Sequence, residues 1–165
     1  MGAARAMSFE DQLPLPPPLP AHAAQLLGQA HRGLAEAAAS PDAGWRYATA
    51  HLAALRGAAA VLAARTRPEP GRRRPRSAWV LIGQVAPELA EWAAFFAAGA
   101  AKRAAAEAGI THAVTEREAD DLVRDVTTFL GVVEAAISRA VPPQSPARLR
   151  STDGGRRRPA GRPGS

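Results

Sequence analysis

A chain of 165 residues has room for one domain with tails, and with no cysteine it has neither disulfides nor thiolate metal sites. Alanine is abundant while aromatic residues make up only 5%, a balance that favours helices over strands. The net charge of +6 is unevenly placed: residues 65–76 carry +5 and residues 148–165 carry +5, leaving −4 for everything else.

The first 19 residues end in PLPPPLP, a run poor in backbone donors, and read as a disordered, polyproline-like leader. No apolar stretch of signal-peptide or membrane-span length stands out, so no membrane partner and a cytoplasmic location are expected. A first helix is predicted from Pro20 to about Ala39, with Ala23, Leu27, Ala30, Leu34 and Ala37 on its buried face. Ser40 is expected to cap a second helix and Pro41 to open it. That helix shows a seven-residue stripe of Trp45, Ala48, Leu52, Leu55, Ala59 and Leu62, predicted to face the core. TRPEPGRRRPR then reads as a basic loop.

Ser77 is placed to cap the segment SAWVLIGQV, and Pro87 is predicted to start a new helix after a bend. Ile82, Val85, Leu89, Trp92, Phe96 and Gly99 keep one phase across the proline, so both pieces should share a core face. Gly109 can close this helix in the left-handed conformation. TERE, residues 115–118, is a capping box for a last helix. Its buried face should hold Ala119, Leu122, Val126, Phe129, Val133, Ala136 and Ala140, widened by Val123, Leu130 and Ile137. Pro142 and Pro143 stop it. The expectation is an all-α, up-and-down four- to five-helix bundle over residues 20–141, flanked by a leader (1–19) and a disordered Arg-rich tail (142–165).

Three segments carry a family resemblance: RYATAHLAALRGAAAVLAAR (46–65), PRSAWVLIGQVAPELAEWAAFFAAGAAKRAAAEAG (75–109) and TEREADDLVRDVTTFLGVVEAAI (115–137). They resemble a HEPN (higher eukaryotes and prokaryotes nucleotide-binding) domain of an actinobacterial subgroup, over roughly residues 22–141. The resemblance implies a helical bundle, a homodimer, and RNA, nucleotide or protein partners. Many members of the family are metal-independent endoribonucleases that use an Arg, four to six residues, then a His.

RYATAH supplies such a pair in Arg46 and His51. Histidine near neutral pKa can move protons on a ribose hydroxyl, and arginine can steady phosphate charge. Twenty Arg, three spacings and four His in 165 residues give about one and a half matches by chance, and one is present. On one helix the two residues lie about 140° apart. Measured from the Trp45–Leu62 stripe, His51 flanks the core and Arg46 faces solvent. In catalytic relatives the motif sits on a later helix, near the segment matching Lys102–Arg103. The expected function is therefore a non-catalytic HEPN-type bundle acting by protein association, with Arg46/His51 ribonuclease chemistry as the alternative.

A third reading is nonspecific nucleic-acid binding through Arg72, Arg73, Arg74 and Arg76 in the loop and Arg156, Arg157 and Arg158 in the tail. Asp121 and Asp125, with Glu88 or Glu91, form too poor a donor set for a metal, and no metal or cofactor is expected.

Overall fold

The computed structural model describes residues 19–66 and 77–140, and every described element is helical. In chain order these are α1 (Ala21–Ala39), α2 (Ala43–Arg65), α3 (Ala78–Val85), α4 (Ala90–Ala98), α5 (Ala100–Glu107) and α6 (Glu116–Ala140). A 3-10 turn, Pro87–Leu89, joins α3 to α4. The leader, the basic residues 67–76 and the tail from 141 onward lie outside the described residues.

Helix α2 stands in the middle, packed against α1, α3, α5 and α6. That position explains which of its residues are buried. Tyr47, Ala50, His51, Ala53, Ala54, Gly57, Ala58, Ala60 and Val61 all lie inside. Most of the stripe expected to face the core is turned outward, by about half a helical turn: Ala48 is buried, but Trp45 is 57% exposed, and Leu52, Leu55, Ala59 and Leu62 are only half-buried. Small side chains let neighbouring backbones come close, while the leucines fill the margins of the contacts. At Gly57 the approach is tightest: a Cβ there would fall 2.6 Å from a methyl of Leu130 on α6. An 18-residue window of α2 has a mean hydropathy of 1.2, enough for a membrane span by length and composition. Yet 56% of that window is buried in the bundle, as befits a central helix.

The start of α2 also differs from expectation. Asp42, not Ser40, is its cap, accepting the Trp45 amide at 2.6 Å on its carboxylate. Ser40 instead ends α1, its amide bonded to the Ala37 carbonyl. Ser77 precedes α3 without a side-chain cap bond.

From α3 to α6 the described residues follow expectation more closely, although Val123 and Ala140 are only half-buried. The α3–α4 face keeps its phase across Pro87, with Ile82, Leu89 and Phe96 fully buried and Val85, Trp92 and Gly99 half-buried. Gly109 takes φ +71° after α5. The Thr115 hydroxyl accepts the Glu118 amide at 3.2 Å while the Glu118 carboxylate accepts the Thr115 amide at 2.9 Å, a complete capping box. Helix α6 buries Ala119, Leu122, Val126, Phe129, Leu130, Val133, Ala136 and Ile137 against α2 and α1. Trp79, Trp92, Phe96 and Phe129 form one ring cluster where α3, α4 and α6 meet, with Phe96 and Phe129 centroids 4.9 Å apart.

Candidate functional site

The two residues of the Arg-x4-His pair are held in separate places. Arg46 sits in the first turn of α2 with its side chain only 11% exposed. Its Nε donates to the Ser40 carbonyl at 2.9 Å and one Nη to the Pro41 carbonyl at 3.2 Å. The other Nη donates to Glu116 at 2.9 Å and Asp120 at 2.7 Å, both on α6. The guanidinium thus ties the α1–α2 turn to the start of α6, where the sequence reading placed it facing solvent. Both carboxylates are more than half exposed, so the pairs themselves are weak. Arg46→Ala is expected to cost about 1 kcal/mol, mainly for the part-buried Ser40 carbonyl left unmet; urea unfolding measures it.

His51 is 1% exposed. Its Nε2 lies 2.8 Å from the Phe96 carbonyl, which can only accept, so Nε2 carries the proton. The Nδ1 atom has no hydrogen-bond partner. Phe96 belongs to the last turn of α4, and its carbonyl also accepts the Gly99 amide. His51 therefore caps the end of α4 from the side, where the helix breaks before α5. Gly99 makes room for this: a Cβ there would lie 3.0 Å from the Tyr47 hydroxyl and 3.5 Å from the His51 ring. The rings of Tyr47, Trp79 and Phe96 surround the imidazole at 5.9–6.5 Å.

Burial pushes the His51 pKa below its usual 6.5, against the opposing pull of the Phe96 carbonyl. A lowered histidine pKa favours the neutral ring in the folded chain. Its contribution to stability is complete above pH 6.5 and fades as the pH falls below that value. Urea unfolding at pH 7.5 and pH 5.5 should show lower stability at the acid value, a difference reduced in His51→Gln. Glu118 behaves alike at lower pH: its bond to Lys102, with those to Thr115, holds its pKa at about 2. Its contribution is present above about 4.5 and declines towards pH 2.

Beside His51, between α2, α4, α5 and α6, lies a cleft of about 290 Å³ whose walls include Tyr47, Phe95, Gly99, Lys102 and Leu122. It continues into a second hollow of about 200 Å³ rimmed by Glu118, Asp121 and Asp125. Arg46 contributes to neither. The Tyr47 hydroxyl pKa is raised, first by burial. Lys102 is engaged by Glu118. The sequence reading passed over Tyr47, although it is the only tyrosine and adjoins Arg46.

Several other candidates are resolved by their partners. Arg65, counted with the basic loop, belongs to the bundle: it pairs with Glu88 and donates to the carbonyls of Val85 and Ala136. Glu88 is thereby engaged away from Asp121, which pairs with Arg124 and Arg117. Among the described residues no three acidic or histidine side chains gather as a metal would need. Arg72, Arg73, Arg74, Arg76, Arg156, Arg157 and Arg158 lie outside the described residues.

An all-α bundle built round an interior alanine-rich helix, followed by a broken aromatic helix and a long amphipathic one, defines the class of this protein. The SAV_6107-like HEPN family model matches residues 37–134, more than half of the chain. The protein belongs to that HEPN family. No curated protein and no solved structure matches it. Family membership supports a nucleotide-related or ribonuclease-like role and goes no finer.

Proposed function

We propose that this HEPN protein is a non-catalytic bundle that acts by association, beginning with a second copy of itself through the outer face of α4. The observation that carries this reading is the character of that face. Among the exposed residues from 90 to 101, Ala90, Ala94, Phe95, Ala97, Ala98 and Ala101 are apolar, and Glu91 is the sole charge. Phe95 is 47% exposed, and Val80 on the adjoining α3 is 53% exposed. Single exposed apolar residues are ordinary, but a nearly uncharged helix face is the pattern of an interface. A face with so little charge offers no repulsion to its own copy across a two-fold axis.

The structural duties of Arg46 and His51 favour the same reading. A general base must come within about 2.6–3.2 Å of the proton it takes, but the unprotonated Nδ1 of His51 is shut away from solvent in a ring that is 1% exposed, beneath Tyr47, Phe96 and Gly99.

Sedimentation equilibrium tests the association. The wild-type chain is expected to be a dimer, and Phe95→Asp a monomer with unchanged helical content. A wild type that stays monomeric at high concentration contradicts the proposal.

A further inference from the structure

The hollow beside Phe95 has one charge left over. Lys102 answers Glu118, and Arg124 with Arg117 answers Asp121, but Asp125 has no hydrogen bond or ion pair among the described residues. It is half-buried, at the rim of a hollow that Tyr47, Phe95 and Leu122 also line. A lone carboxylate beside two aromatic rings suits a guanidinium, which can pair with the one and stack on the others. A phosphate group meets the opposite balance there, three carboxylates against one lysine.

The chain itself contains the matching charge. The described residues carry nine basic and eleven acidic side chains, net −2 against +6 for the chain, which leaves +8 in the other residues. Six arginines fall between Arg148 and Arg162, with one acid among them, Asp153. The first of them, Arg148, comes eight residues after the end of α6, the helix that bears Asp125. Asp125 lies 15 residues before Ala140, or about 22 Å along the helix axis. Eight to ten extended residues beyond Ala140 span about 26–33 Å, which brings Arg148 and Arg150 within reach.

We infer that an arginine of the 148–162 segment docks back on its own chain, seating its guanidinium on Asp125 between Tyr47 and Phe95. The inference is independent of RNA cleavage, but the seat shares Phe95 with the face proposed for self-association. The contact would lie beside the α4 face and so couple the tail to whatever that face binds.

Because the chain has no cysteine, Ser151→Cys accepts a single nitroxide label in the full-length protein. Docking predicts that amide signals of Phe95, Lys102, Leu122 and Asp125 broaden selectively in 0.1 M salt. The broadening should disappear in 1 M salt, where screening shortens to about 3 Å, and in the Asp125→Asn variant. Absence of broadening at low salt overturns the inference. So does broadening centred elsewhere on the bundle, broadening that persists in Asp125→Asn, or an effect carried wholly by a second chain when labelled and isotope-enriched chains are mixed. The last two outcomes would indicate another seat for the tail, or exchange between copies.

Discussion

Phe96→Ala is expected to remove about 3–5 kcal/mol of stability, the usual cost of emptying a buried aromatic site. Phe96 is fully buried, with Trp79, Trp92, Phe95 and Phe129 ring centroids within 5.9 Å of its own. These neighbours come from α3, α4 and α6, so no one helix can move to close the gap. Against a total of roughly 5–15 kcal/mol for a small domain, the loss is severe. Because His51 bonds to the Phe96 backbone and not to its ring, that hydrogen bond should survive in the folded fraction. Equilibrium urea unfolding gives the energy, and the imidazole nitrogen shifts of His51 report whether Nε2 stays protonated. A loss below 1 kcal/mol would mean that the aromatic cluster is not the centre of the fold.

Gly57→Val is the second large effect, expected at about 2–3 kcal/mol and opposite in cause. Here the site is already full. A Cβ at Gly57 meets Leu130 at 2.6 Å, Phe129 at 3.6 Å and Val133 at 3.8 Å, all buried residues of α6. Leu130 would have to change rotamer inside a packed layer, and the added methyls of valine would force α2 and α6 apart. Gly57→Ala separates the two contributions, since alanine gains about 1 kcal/mol of helix propensity that offsets part of the crowding. The alanine variant should therefore lie near wild type while valine falls well below it. Equal stability for the two variants would contradict the close contact of these helices.

The contrast between Phe96 and Gly57 also explains which parts of the fold could be read in the sequence. Where large apolar residues repeat on one face of a helix packed on one side, as in α6 or the Ile82–Gly99 stripe, pattern and burial agree. The same holds for TERE, because a capping box is a local motif. Helix α2 defeated that logic because it is surrounded. On such a helix the face is chosen by how closely neighbours must approach, so alanine and glycine go inside and leucine goes to the edge. A reading that ranks leucine above alanine turns the helix around, and it did so here.

The site was legible in its residues but not in their partners. RYATAH pointed to Arg46 and His51, read as structural or incidental, with His51 flanking the core and Arg46 facing solvent. What they hold lies far along the chain: Glu116 and Asp120 for Arg46, and a backbone carbonyl for His51. A carbonyl leaves no mark in a sequence. The available trace was Gly99, whose missing side chain makes room for Tyr47 and His51. The hollow round Asp125 was missed for a similar reason, since its walls come from α2, α4, α5 and α6.

The central claim is that Arg46 and His51 are spent on holding helices together. Incubation of metal-free protein with single-stranded RNA, comparing wild type with His51→Gln, tests it most directly. Glutamine can still donate to the Phe96 carbonyl, so the fold should persist while proton transfer is removed. No cleavage above background by either protein is the expected result. Cleavage by the wild type that folded His51→Gln fails to reproduce would contradict the account.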